Sequence, residues 1–239
     1  MARQQFPSVA NDFADVVSFL KDNGLYPKPC PGSFVATARR LHRAVFSLTL
    51  WKFRLKGIPE HGQFFVEEIA SDAIQIIPHS ILGFGKTPRL LIRGIIENAL
   101  RHIYFSDHPI EFKRMNRDAR WYLMSEELFG YPGIHDGLMD LEPKFDAVNR
   151  LKTLYSELSA TVHGRQVKDL QMCSSLSDIK FSERMFERQV AEVERCTASA
   201  NFLLAAFHSD RFSAFDREDR RVILASMPAK ARRVLSGLE

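Results

Sequence analysis

Cysteine is scarce in this chain and carries no pattern. Cys30, Cys173 and Cys196 are odd in number, widely spaced and outside any CxxC or Cys/His ligand arrangement. Neither a disulfide framework nor a structural zinc site is therefore expected, and a reducing compartment fits best. Long apolar runs are also missing: no window approaches the roughly 18 consecutive apolar residues that a bilayer span requires, so no membrane association is expected. The opening MARQQFPSVANDF reaches Asn11 and Asp12 without an apolar stretch, unlike a secretory leader. A cytoplasmic location is the resulting expectation. Walker loops, GxGxxG, GxSxG and HExxH are all absent, so nucleoside triphosphatase, dinucleotide, serine hydrolase and zincin chemistry lack their signatures. No cofactor and no metal are expected.

Strand signals are lacking as well. No run of alternating β-branched residues competes with helical periodicity, and there is neither an internal repeat nor a low-complexity tract. With 45% hydrophobic and 26% charged residues over 239 positions, the chain can bury a single sizeable core. The fold class expected is all-α, an antiparallel helical bundle with a short N-terminal helix and two short C-terminal helices. The domain plan is an N-terminal helix and Pro-rich loop over 1–35, then one bundle over 36–239.

Punctuation and period place the helices. Residues 9–22 form a short helix closed by Gly24, and the prolines of YPKPCPGS stop any continuation. Ser33 or Thr37 caps a helix running to about Lys56. Phe64 to Ile77 gives about three more turns, with Pro78 as the expected stop. The segment TPRLLIRGIIENALRHIYFSDHP has Thr87 as N-cap, Pro88 at the first helical position and Pro109 beyond its end. A helix near 116–129 follows, then the loop GYPGIHDG, a helix over about 143–163 stopped by Gly164, and a long helix over about 183–208. The last of these repeats Phe186, Val190, Val193, Thr197, Ala200, Leu204 and Phe207 as a bundle seam. Asp216 and Pro228 open the two C-terminal helices.

Charge is uneven along the chain although its formal net is only +4. From Asn23 to Pro59 there are seven Lys or Arg and no acid, while Glu60 to Gly85 carries only acids. Arg39, Arg40, Arg43 and Arg54 gather on one side of their helix, where they could grip RNA or DNA phosphates with Trp51 and Phe53 as stacking surfaces. Two further groups could carry chemistry. Arg93, Glu97 and Arg101 run i, i+4 along the helix after Thr87, and Tyr155, Ser159 and His163 do the same before Gly164. If those helices pack side by side, a carboxylate, guanidinium groups, a hydroxyl and an imidazole share one cleft, enough for acid/base work or phosphate binding. His135 and Asp136, in a glycine-rich loop, read as turn residues.

The helix IRGIIENALRHIYF followed about fifty residues later by LYSELSATVHG resembles the HEPN-like helical proteins of prokaryotic toxin and defence systems, over about residues 87–208. The resemblance implies a metal-independent endoribonuclease, acting as a homodimer or larger assembly, in which an arginine lies four to six intervening residues before a histidine. His163 resembles the family's histidine by preceding Gly164 on a late helix, with Ser156, Glu157 and Leu158 where the arginine would stand. Arg101 and His108 meet the spacing, with His102 directly after the arginine. Arg54 and His61 also meet it, but Gly57 and Pro59 break the helix between them. An alternative of a different class is a non-catalytic scaffold docking a partner protein through the 186–207 seam or the basic C-terminal helices.

Overall fold

The computed structural model describes residues 8–164, 167 and 172–237, and every regular element among them is helical. The helices are α1 (Val9–Asp22), α2 (Phe34–Arg54), α3 (Glu60–Ile81), α4 (Thr87–Asp107), α5 (Pro109–Arg117), α6 (Ser125–Gly130), α7 (Glu142–Phe145), α8 (Ala147–Val162), α9 (Glu183–Phe207), α10 (Ser209–Ser213), α11 (Arg217–Ala225) and α12 (Ala229–Ser236). The all-α bundle is thus observed. None of these helices is long and apolar enough to cross a membrane.

Several boundaries differ from expectation for identifiable reasons. Pro78 lies inside α3, which continues to Ile81. Proline forfeits only its own N–H bond, and its carbonyl still accepts from Leu82 N at 2.9 Å. The single helix expected near 116–129 is instead α5, started by Pro109, then an irregular stretch, then α6. The helix expected from 143 is cut by Asp146 at φ 64°, a left-handed conformation that aspartate tolerates. Three short C-terminal helices are present rather than two, because α10 follows α9 after a break at His208.

α4 is the central element. It packs against α3, α8 and α9, while α2 packs against α3 and α9. Ile92, Ile95, Ile96, Ala99 and Ile103 are each at most 1% exposed, so the apolar face is wholly consumed. The seam Phe186, Val190, Val193, Thr197, Ala200 and Leu204 is likewise buried, with only Phe207 partly open, and is core rather than a docking surface. Phe13 and Leu20 of α1 join the same buried cluster, and His42 Nε2 lies 2.6 Å from Asp12 Oδ2.

Trp51 is fully buried, its indole N–H donating to Asn201 Oδ1 at 2.7 Å, so it offers no stacking surface. The Asn201 amide donates to Ser47 Oγ at 2.9 Å and Ser226 Oγ at 2.7 Å. An indole can only donate, which fixes the amide orientation, and every polar atom of the amide is satisfied. The start of α4 is set by Gly83 at φ 87°, where any Cβ would overlap the Lys180 carbonyl. Gln189 of α9 donates to Phe84 O at 2.8 Å, tying the same turn to the long helix.

Candidate functional site

The i, i+4 stripe on α4 faces the C-terminal half of α8. Arg93 Nη2 donates to the Tyr155 hydroxyl at 2.7 Å, and that hydroxyl donates to Glu97 Oε1 at 2.8 Å. Glu97 Oε2 pairs with Arg101 Nη2 at 3.2 Å, while its other oxygen is 3.7 Å from Arg93. Arg93 Nη1 approaches His163 Nε2 at 3.3 Å. A guanidinium cannot accept, so Nε2 is the acceptor in this contact. The Arg93 guanidinium also stacks 4.6 Å from the centre of the Tyr155 ring, which Phe129 of α6 flanks edge-on. Its Nε–H is buried without an acceptor among the described residues. Five of the seven candidate catalytic residues therefore meet in one chain of contacts.

Two do not join it. Ser159 Oγ turns back to donate to Tyr155 O at 2.7 Å within its own helix. Serine in a helix interior often bonds the preceding turn in this way. His108 stands at the junction of α4 and α5, donating from Nδ1 to Tyr104 O at 2.7 Å and stacking on the Tyr104 ring at 4.1 Å. Arg101, its partner in the spacing motif, turns to Glu97 and Asn98 instead.

The open side of the network is graded. Arg93 and Glu97 side chains are 14% and 27% exposed, Arg101 is 36% exposed, and His163 is exposed. Two cations against one carboxylate leave a formal +1, with an imidazole at the rim. Such a surface attracts an anion and offers it guanidinium donors beside a proton acceptor.

A dry support lies behind the network. Arg89, one turn before Arg93, makes two bonds to Glu192 of α9 and donates to Thr161 Oγ1 at 2.7 Å. Thr161 is two residues from His163, so this contact locates the end of α8 that presents the imidazole. Arg89 stands four residues before Arg93, in the same i, i+4 register as the stripe. Its apolar neighbours, Pro88 and Ile92, were the available signal.

The basic stripe on α2 divides. Arg40 bonds Glu187 and Glu194 of α9, and Arg54 bonds Asp216 and Asp219 near α11. Arg39 lies over the Phe13 ring at 5.1 Å, and Arg43 is exposed. Arg39, Arg40 and Arg43 line a common cavity that Arg54 does not border.

A histidine cluster at the far end of α4 was not foreseen. His102 Nδ1 donates to Gly62 O at 2.9 Å, which makes Nε2 the acceptor for His208 Nε2–H at 2.7 Å. Burial pushes both imidazoles down, His102 to about 4 and His208 to about 3. Nearby, Asp107 Oδ2 accepts from Tyr131 at 2.8 Å and sits 3.2 Å from His135 Nε2. His135 Nδ1 accepts from Gly137 N at 3.1 Å, consistent with a turn residue. No group of three or more His, Cys, Asp or Glu among the described residues is arranged to hold a metal ion.

No protein-family model, curated protein or solved structure matches the chain.

Proposed function

We propose that the chain is a HEPN-like helical protein of a defence or toxin-type system that binds RNA at the α4–α8 edge and cleaves it without metal. The supporting observation is the convergence of Arg93, Glu97, Tyr155 and His163 on an accessible edge carrying net positive charge. A phosphate arriving there competes for Arg93, whose 3.3 Å contact to His163 is at the weak end for a hydrogen bond. The imidazole Nε2 is then free to take the 2′-hydroxyl proton as the 2′-oxygen attacks phosphorus. The bond to the 5′-oxygen breaks, and that oxygen takes a proton from water. Arg93 and Arg101 stabilise the charge gathering on the phosphoryl oxygens, while Glu97 and Tyr155 position the two guanidinium groups. The resemblance to HEPN-like proteins adds a homodimer or larger assembly to this reading.

The test is cleavage of single-stranded RNA in EDTA. The parent should release fragments with 2′,3′-cyclic phosphate ends. His163→Ala should slow this by roughly 10²-fold or more, the scale of general-base catalysis, and Arg93→Gln should do likewise, while His108→Ala retains activity. No cleavage by the parent, or undiminished cleavage by His163→Ala, overturns the proposal. A scaffold role is favoured by one observation, the exposure of Ile110 on α5 and of Tyr122, Met124 and Ile134 in the segment from α5 to α7. It predicts no RNA binding at all.

A further inference from the structure

A cavity of about 770 Å³ opens between α1, α2, α9 and α11, with no residue of α4 or α8 in its lining. Ligand pockets generally span roughly 300 to 1,000 Å³, so this one has room for a small organic molecule. Four arginines and two glutamates line it, leaving a net charge of +2. The charges are not equally committed. Arg40 bonds Glu194 and Glu187, and Arg221 pairs with Glu218 at 2.6 Å. Arg39 and Arg43 have no carboxylate partner among the described residues, although Arg39 rests on the Phe13 ring.

The deep side has a different chemistry. Thr197 lines the cavity and is fully buried, yet its hydroxyl has no hydrogen-bond partner among the described residues. A threonine hydroxyl in a helix ordinarily bonds a carbonyl of the preceding turn, so one left unmet at a cavity wall is a donor and acceptor awaiting a ligand. Ser226, which accepts from Asn201 at 2.7 Å, stands on the same wall. Val222 and Ala225 add apolar surface to the lining, while the Phe13 ring is largely covered by Arg39.

We infer that this cavity binds a phosphate monoester of about mononucleotide size, its phosphate on Arg39 and Arg43 and its body against Val222 and Ala225 with a polar atom toward Thr197. A phosphate monoester carries a charge of roughly −1.5 to −2 near neutral pH, which matches the two uncommitted guanidinium groups. A nucleic-acid strand fits less well. A strand needs a continuing track of free cations, and the stripe ends at Arg54, already held by Asp216 and Asp219. The ligand also bridges α1 to α11, two elements otherwise joined to the bundle at its margin.

Isothermal titration with adenosine 5′-monophosphate, uridine 5′-monophosphate and glucose 6-phosphate tests the inference, with adenosine and inorganic phosphate as the two halves and a short single-stranded RNA as the rival. At least one organic phosphate should bind saturably, with each half roughly tenfold weaker or worse. Arg39→Gln and Arg43→Gln should each weaken it by about tenfold, the scale of a charge-assisted hydrogen bond. Thr197→Val should weaken binding without lowering the melting temperature of the free protein, because it removes a hydroxyl that has no partner. Hydrogen exchange in α1 and α11 should slow on binding. The inference is overturned if no organic phosphate saturates at millimolar concentration, or if Arg43→Gln and Thr197→Val bind like the parent. It is equally overturned if RNA is the sole probe that Arg43→Gln weakens.

Discussion

Arg89 and Glu192 face each other through two parallel hydrogen bonds, Nε to Oε2 at 3.0 Å and Nη2 to Oε1 at 2.6 Å, with both side chains 9% exposed. The pair joins α4 to α9, and the third nitrogen of Arg89 reaches α8 through Thr161. Removing Arg89 leaves the buried Glu192 carboxylate with only the largely exposed Arg188, at 3.1 Å, to compensate it. Arg89→Ala should cost about 3 to 5 kcal/mol, read as a drop in the urea midpoint at constant slope. The double replacement Arg89→Met with Glu192→Leu should recover most of that loss, since it leaves no stranded charge. Equal losses in the single and double variants would show that the pair contributes packing alone.

Acid should unfold the protein through the His102–His208 pair. The folded state holds His102 near 4, below the 6.5 of a free imidazole, so the unfolded chain binds more protons between those values. Stability from this source is complete above pH 6.5 and is lost as pH falls toward 4, on the order of 3 kcal/mol for His102. Urea melts between pH 7 and 5 should show the decline. Substituting His208→Leu should flatten it by removing one of the two groups that must stay neutral.

Asp72 works in the opposite direction. Its carboxyl is buried beside Gly94, at a distance that only glycine allows, and burial followed by the nearby Glu68 pushes it up to about 6. The folded state therefore favours the protonated acid. Its contribution is present at pH 4 and is lost as pH rises from 3.8 through 6. Asp72→Asn should stabilise the protein at pH 7 by about 1 kcal/mol, with the gain fading toward pH 4 in thermal melts.

Tyr155→Phe isolates the relay between Arg93 and Glu97. The fold should be kept, because the ring still packs on Phe129 and beneath Arg93. Without the hydroxyl, Arg93 and Glu97 are left at 3.7 Å with no bridge. RNA cleavage should fall by about tenfold, the scale of one hydrogen bond to a charged group. An unchanged rate would place Tyr155 outside the site's working parts.

Local chemistry made much of this legible in the sequence. The span of α1 follows from its glycine stop and the prolines beyond it, and the meeting of Arg93 with Tyr155 and His163 follows from two i, i+4 ladders on adjacent helices; α4 begins at Thr87 itself, with Lys86 rather than Thr87 in the capping position and no side-chain cap. Long-range pairing stayed hidden. The acids that occupy Arg40 lie about 150 positions away in α9, and Trp51 is buried on Asn201 at a similar separation. Ser159 shares the spacing of its ladder but finds a carbonyl one turn back. Asp146 breaks a helix through a backbone conformation that no periodicity announces.

The stripe on α4 passes from dry to wet along a single helix, with Arg89 at 9%, Arg93 at 14% and Arg101 at 36% side-chain exposure. Mobile ions screen charges in contact with water and scarcely reach those sealed from it. Rising ionic strength therefore loosens Arg101 from Glu97 first, then the contacts of Arg93, and leaves Arg89 on Glu192 untouched. The helix orders its own response to salt, yielding from the solvent end inward while its anchor holds.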